Sequence, residues 1–303
     1  MVRFLSHSEI DKVKWDSCIQ GSSQEILYAY SFYLDIACPN WAALVKDDYS
    51  AVMPLPIRKK WGQSYVYTPY FIQQLGIFSS HPIYVNEFLI AIPRSIRLIE
   101  YNLNWKNTDE HLFTIQWATH HLYLRPSYTE LSAGYDRTLK NNIKKAIQAN
   151  LKIEQNGSIE EVIQLFYSLR GRNLRKISDS DYKRLENLGR RCIQKEQGSC
   201  WVVKENDQVL AGSLFVWSGT HYIFLFSGNS IRGKEVGALP FLLDYFIQQK
   251  AGNEGIFDFE GSNDPNLARF YQSFGSKKVM YPRLEINRLP YPLSWLKKKT
   301  LKS

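Results

Sequence analysis

The spacing of apolar and polar positions changes character along the chain. Residues 10–18 and 25–37 carry apolar positions at helical intervals, and Pro39 stands just beyond the second, so two helices are predicted. The period then shortens. In A-A-L-V-K-D-D-Y-S-A-V-M-P-L-P two apolar runs flank Asp47 and Asp48, which predicts a hairpin of strands 41–46 and 50–57. Residues 65–69, 83–88, 95–100 and 112–117 form further segments of undecided type, with loops expected at 80–82 and 102–109. Residues 135–150 read as a two-faced helix. Leu139, Ile143 and Ile147 recur every four positions, and Arg137, Lys140, Lys144 and Lys145 fall largely elsewhere.

Beyond it the order is sharper. A strand at 151–155 turns at Asn156 and Gly157 into a helix at 159–173, for which Ser158 is the candidate N-cap. A second helix, 179–197, starts with Asp179 and Asp181 and ends with Arg190, Arg191 and Lys195, as the helix dipole favours. Strands 200–204, 208–217 and 221–227 are joined by tight polar turns and should be antiparallel. An apolar helix follows at 239–250, with Pro240 tolerable only in its first turn. A buried strand at 255–260, a short helix at 266–274 closed by Gly275 and a strand at 279–286 complete the order. The tail 296–303 carries four lysines and is expected to fray.

With 303 residues the chain is long enough for about two domains and for a core that needs no disulfide or metal. It is 44% hydrophobic and 22% charged, which excludes disordered, collagenous and coiled-coil classes. There is no run of 18 apolar residues, so no transmembrane segment is expected. The opening M-V-R-F-L-S-H-S-E-I lacks the apolar stretch of a secretory signal, and the expected location is cytoplasmic. Cys18, Cys38, Cys192 and Cys200 form no C-x-x-C pair and are expected to be buried free thiols, with a Cys192–Cys200 disulfide as the alternative. His120 and His121 are adjacent. On a strand they would point apart, so one metal site could not readily use both.

Charge is uneven. Residues 1–130 hold 11 Lys and Arg against 12 Asp and Glu, whereas residues 131–303 hold 27 against 17. The net charge of +9 therefore sits in the second part, which suits a phosphorylated cofactor, RNA or an anionic lipid, or simply a soluble basic face.

The order of elements after residue 150, together with H-Y-I-F-L-F-S-G-N-S, I-R-G-K-E-V-G-A and D-F-E-G-S-N-D-P-N-L-A-R-F-Y-Q-S-F-G, resembles the GNAT acyltransferases. The stretches at 41–60 and 135–154 are similar to the first-unit hairpin and the basic connecting helix of the Fem-type branch, the peptidoglycan aminoacyl transferase-like tandem GNAT proteins. The resemblance implies an α+β fold of two tandem GNAT-like units, each a mixed, mostly antiparallel sheet flanked by helices. A degenerate first unit would span 1–134, a basic linking helix 135–150, the acyltransferase unit 151–290 and a basic tail 291–303.

The implied activity is transfer of an acyl group from acyl-coenzyme A, acetyl-CoA above all, to an amine, with no metal. The alternatives are a tRNA-dependent aminoacyl transfer to a cell-wall precursor and a non-catalytic binding module. The acceptor would be a small molecule or a cell-wall precursor amine. In the family a phosphate loop precedes a helix. Here its counterpart is Arg232, Gly233, Lys234, Glu235, Val236, Gly237 and Ala238, with Glu235 replacing the first glycine. A loop entering a helix N-terminus offers unpaired amides and a positive dipole end to phosphate. Phe226, Ser227, Gly228, Asn229 and Asn263 are the further candidate cofactor contacts. Tyr271, four residues before Gly275, matches the family tyrosine that protonates the leaving thiolate, and Glu260 is the candidate acceptor of the amine proton. Arg58, Lys59 and Lys60 are candidates to hold a substrate phosphate, or a solvated charge run.

Overall fold

The computed structural model describes residues 1–60, 62–107, 115–169, 177–261 and 263–291. The chain divides into two compact units: Met1–Trp117 with Met280–Ser303, and Ala118–Val279. The division falls earlier than the expected 1–134, and the chain returns to the first unit at its end.

The first unit holds β1 (Val2–Leu5), α1 (Lys12–Gln20), α2 (Ser31–Ala37), β2 (Ala42–Lys46), β3 (Ala51–Leu55), β4 (Ile57–Lys60), β5 (Gln63–Tyr67), β6 (Phe78–Ser79), α3 (Val85–Ala91) and β7 (Ile96–Asn102). Strands β1-β2-β3-β6 form an antiparallel sheet. The predicted hairpin is present, with Asp47 and Tyr49 in the left-handed region that tight turns need. Strand β4 pairs antiparallel with β5, and β5 runs parallel to β7. Trp15 and Trp41, both fully buried, meet at 4.7 Å in the core, and the Trp15 indole donates to the Ala29 carbonyl at 2.8 Å.

The helix expected over 25–37 is shorter. Leu27–Ala29 is a single 3-10 turn and the α-helix begins at Ser31. The Asp16 carboxylate accepts from both the amide and the hydroxyl of Ser31, a cap supplied from a distant segment. Of the untyped segments, 83–88 lies mainly in helix α3, whereas 65–69 and 95–100 fall on strands.

Strand β8 (Ile115–Tyr123) contributes its residues from 118 onward to the second unit; positions 112–114 of the expected segment lie outside the described residues. The unit continues with α4 (Tyr128–Ala133), α5 (Arg137–Gln148), β9 (Lys152–Glu154), α6 (Ile159–Leu169), α7 (Asp179–Gln194), β10 (Gly198–Glu205), β11 (Gln208–Ser218), β12 (His221–Asn229), α8 (Ile231–Glu235), α9 (Ala238–Lys250), β13 (Ile256–Gly261) and α10 (Pro265–Gln272). The last strand, β14 (Lys277–Asn287), pairs antiparallel with β7 through residues 283–287, which belong to the first unit. Residues 170–173 of the expected helix and the tail 296–303 lie outside the described residues.

The sheet of the second unit runs β9-β10-β11-β12-β13-β8, antiparallel except where β12 meets β13. One face packs an aromatic stack: Phe215 lies 4.0 Å from Phe246 of α9, and Phe246 lies 5.0 Å from Phe257. Such rings bury large apolar areas and dominate core energetics. Helices α6 and α7 pack against β10, β11 and β12. The four cysteines are free thiols, three of them buried, as expected.

On α5 the Asp136 carboxylate caps the first turn by accepting from the Leu139 amide at 2.7 Å. Leu139 and Ala146 are buried and Ile143 packs against the core, but Ile147 is 59% exposed. A strict four-residue repeat drifts off a 3.6-residue helix, so the inward set continues through Ala146. Helix α5 crosses α9 closely. Gly237, the N-cap of α9, has φ +74°, and a Cβ there would lie 2.3 Å from the Asn142 carbonyl oxygen. A side chain would meet both the left-handed penalty and a backbone clash. Gly237→Ala is expected to destabilise the fold by about 2–5 kcal/mol, the sum of those two effects, as read by denaturant unfolding. A change below about 1 kcal/mol would mean that α5 does not press on this position.

Candidate functional site

Strands β12 and β13 are paired only over His221–Ile256, Tyr222–Phe257 and Ile223–Asp258. Beyond that register the two part. The pairing of β11 with β12 shifts at the same level, between Leu214 and Phe215, where Leu225 is the extra residue. A bulge of this kind increases local twist and bends the strand.

A cleft of about 150 Å³ lies along this freed part of β12. Its walls are Phe166 and Leu169 of α6, Phe224, Ser227 and Asn229 of β12, Lys234 of α8, Leu239 of α9, and Leu267, Phe270 and Tyr271 of α10. Aromatic walls with a few convergent polar groups are the usual build of a small-molecule site. Helix α10 is set by Asp264, whose side chain accepts from the Asn266 amide at 2.8 Å, and by Pro265 at its first position. Tyr271 is thereby laid against Phe259, stacked at 5.2 Å, with Phe224 at 6.4 Å and His120 at 5.9 Å. The Asn229 Oδ1 atom is buried on the side of Gly233 and has no hydrogen-bond partner among the described residues.

Four residues expected at the site therefore line one cleft: Ser227, Asn229, Lys234 and Tyr271. The others do not. Phe226 packs on Phe166 at 4.8 Å, and its carbonyl accepts from Ser213 Oγ. Gly228 is buried against α6, where a Cβ would lie 2.4 Å from the Val162 carbonyl oxygen. Asn263 is exposed and does not line the cleft.

The residues expected to form a phosphate loop lie in and just after a short helix. Residues 231–235 form the short helix α8, its start capped by Ser230 Oγ accepting from the Gly233 amide at 2.9 Å. Gly233, Gly237 and Ala238 are buried by the chain itself; a Cβ on Gly233 would meet Asn229 Oδ1 at 2.3 Å and the Leu210 carbonyl at 2.5 Å. Arg232 forks onto Glu205 at 2.8 and 3.0 Å and has Glu235 at 3.7 Å. Two carboxylates thus compete with any phosphate for its charge. In the first unit, Arg58 stacks on Tyr67 at 4.3 Å, and Arg58, Lys59 and Lys60 are exposed.

Glu260 also stands apart from the lining. It is half-buried, burial pushes its carboxyl up to about 8, and its backbone sits at φ +63°. That left-handed turn comes just after β13 leaves β12. Its amide donates to Asp258 Oδ1 at 2.8 Å. Asp258 is buried, which works to raise its carboxyl, but His121 and His221 hold it well below the usual carboxylate range. As expected of neighbours on a strand, His121 faces Asp258 and His120 faces Tyr271. Neither ring nitrogen of His120 has a hydrogen-bond partner among the described residues, and burial lowers its basicity.

No protein-family model and no curated protein matches the chain. Among solved structures the fold is that of the tandem GNAT proteins. FemX is similar over 95% of this chain and 98% of its own, with TM-score 0.69 and 13% identity. The C-terminal domain of a putative lysylphosphatidylglycerol synthetase from Agrobacterium fabrum is similar over 96% of both chains, with TM-score 0.58 and 10% identity. A tandem GNAT protein from the clavulanic acid biosynthesis pathway matches over 96% of this chain and 99% of its own, with TM-score 0.54 and 9% identity. At such identities the likeness is one of fold. No helix among the described residues is long and apolar enough to cross a membrane.

Phe166 and Leu169 read in the sequence as inward core positions of the helix 159–173 and line the cleft instead, because in a periodic pattern a cleft-lining apolar residue looks like a core one. His120 yields a direct check. A buried imidazole with two unsatisfied nitrogens costs about 1–3 kcal/mol. His120→Leu is expected to raise stability by about 1 kcal/mol in urea unfolding, the cost relieved less the strain of a new shape. A loss of more than about 1 kcal/mol would show that the ring is satisfied in solution.

Proposed function

We propose that the second unit transfers an acyl group to an amine, with the reacting carbonyl held in the cleft along β12, past its pairing with β13. The observation that carries this reading is that Phe224, Ser227 and Asn229, beyond the last β12–β13 pair, line one cleft with Tyr271. The amine nitrogen attacks the carbonyl carbon and the bond to the donor oxygen or sulfur breaks. Tyr271 gives its hydroxyl proton to that leaving atom, and the proton shed by the attacking nitrogen returns to the tyrosine oxygen, so the hydroxyl is restored. Holding both reactants in one walled cleft supplies much of the acceleration by removing the cost of bringing them together. Glu260 takes no proton in this scheme, because it does not line the cleft.

The donor is an aminoacyl-tRNA rather than an acyl-coenzyme A. Pyrophosphate would need the first turn of α9 and Arg232, but Gly237 and Ala238 are covered and Arg232 is engaged by Glu205. An aminoacyl ester at the end of an RNA asks for no anion site there. It asks for cations along the approach, and Arg137, Lys140, Lys144 and Lys145 are all exposed on α5. The acceptor class that the Fem-type resemblance carries is a cell-wall precursor amine.

Filter binding of aminoacylated tRNA across a salt series tests the donor. Phosphate contacts release counterions, so affinity should fall steeply with salt. Lys144→Gln with Lys145→Gln should flatten the log–log slope by about two, one for each lost contact. Calorimetry with acetyl-coenzyme A should show no binding at the same concentrations. Acetyl-coenzyme A binding that Arg232→Glu abolishes, with no tRNA binding at low salt, would reverse the donor assignment.

A further inference from the structure

Behind the cleft, three side chains from three strands converge on one oxygen atom. Asp258 of β13, His121 of β8 and His221 of β12 have side chains 1%, 0% and 11% exposed. His121 Nε2 lies 3.2 Å and His221 Nε2 3.4 Å from the same atom, Asp258 Oδ2. The three donor atoms all lie within 4.8 Å of one another, and the two imidazoles meet edge to face at 5.8 Å. Backbone register sets this up. His121 is directly opposite Asp258 across β8 and β13, and Ile223 of β12 is opposite Asp258 on the other side, with His221 two residues earlier.

The carboxylate is oriented from behind. Its other oxygen, Oδ1, accepts from the Thr119 hydroxyl and from the Glu260 amide at 2.8 Å. Oδ2 is left to the two imidazoles. Outer hydrogen bonds that fix a ligand in this way are the usual support of a metal site.

The two imidazole contacts are hydrogen bonds in the absence of an ion, and long ones. Charge-assisted N–H···O⁻ bonds to a carboxylate are about 2.7–2.9 Å long, shorter than either contact here. Donor atoms at about 2.0–2.1 Å from a tetrahedral zinc are about 3.4 Å apart; the two edges to Asp258, 3.2 and 3.4 Å, match this, and the edge between the two imidazole nitrogens is at most 4.8 Å. An octahedral ion with bonds of about 2.1–2.2 Å would set neighbouring donors about 3.0 Å apart. Two imidazoles and one carboxylate are also the donor set that zinc accepts. We propose that His121 Nε2, His221 Nε2 and Asp258 Oδ2 bind a zinc ion, with solvent reaching the fourth position on the side of His221. The ion joins β8, β12 and β13 at the last paired residues before the cleft opens, and so clamps the base of the split. A divalent cation also offsets the cost of a carboxylate buried among Phe and Ile.

The test uses the full purified chain and reads no transfer activity, so it stands apart from the donor question. The protein is stripped with a chelator, dialysed and titrated with zinc against a chromophoric competitor. One equivalent should bind, and the thermal midpoint should rise with it. Cobalt in place of zinc should give the intense visible bands of a four-coordinate ion. His221→Gln should lose the equivalent, the bands and the thermal rise. Should that variant not fold, the cobalt spectrum of the unaltered chain decides. Binding below about 0.1 equivalent, with no cobalt bands, would overturn the proposal. Full retention of the ion by a folded His221→Gln variant would overturn it equally.

Discussion

A carboxylate buried in a strand of Phe and Ile must be compensated, and the way Asp258 is compensated decides where the second unit opens. It ties to Thr119 and His121 on β8, to His221 on β12 and to the Glu260 amide at the turn of its own strand. Those bonds sit at the Ile223–Asp258 pair, the last in register. Up to that pair the strands are held together. Past it β12 bulges and twists, β13 takes a left-handed residue, and α6 and α10 contribute the walls of the space between. The cleft is thus a consequence of polar bonding on one side of the sheet and aromatic packing on the other.

In the same unit, glycines near a helix start serve close packing. Glycine near a helix start suits phosphate because a backbone without Cβ allows close approach. At Gly237 that approach is taken by the α5 backbone, and at Gly233 by Leu210 and Asn229. The amides that would meet a pyrophosphate are enclosed, and the arginine that would join them faces Glu205. A basic helix pressed onto α9 closes one anion site while presenting an open row of cations on its outer face.

Much of this was legible in the sequence, and the gaps have physical causes. Strands expected at 208–217 and 221–227 and a helix at 239–250 follow from local period and turn chemistry and fall on observed elements, and the GNAT resemblance, through the spacing of Tyr271 from Gly275, points to that tyrosine. The cap that shortens the helix at Ser31 comes from Asp16, 15 residues away, and no local pattern reports it. The closed turn at 231–235 reads as a loop because its glycines are permissive, while the helix it forms depends on the Ser230 cap. The strand 255–260 reads only as buried, and the partner of its Asp258, His121, lies 137 residues earlier, beyond any periodicity.

The central claim is that the leaving atom departs beside Tyr271. Single-turnover kinetics with Tyr271→Phe tests it most directly, using aminoacylated tRNA and the amine acceptor at saturating concentration. The account predicts a chemical step slowed by about 10²–10⁴-fold, the usual worth of a positioned acid, with donor affinity little changed. A variant that turns over at the rate of the unaltered enzyme, or that loses donor affinity with its chemical rate intact, would contradict it.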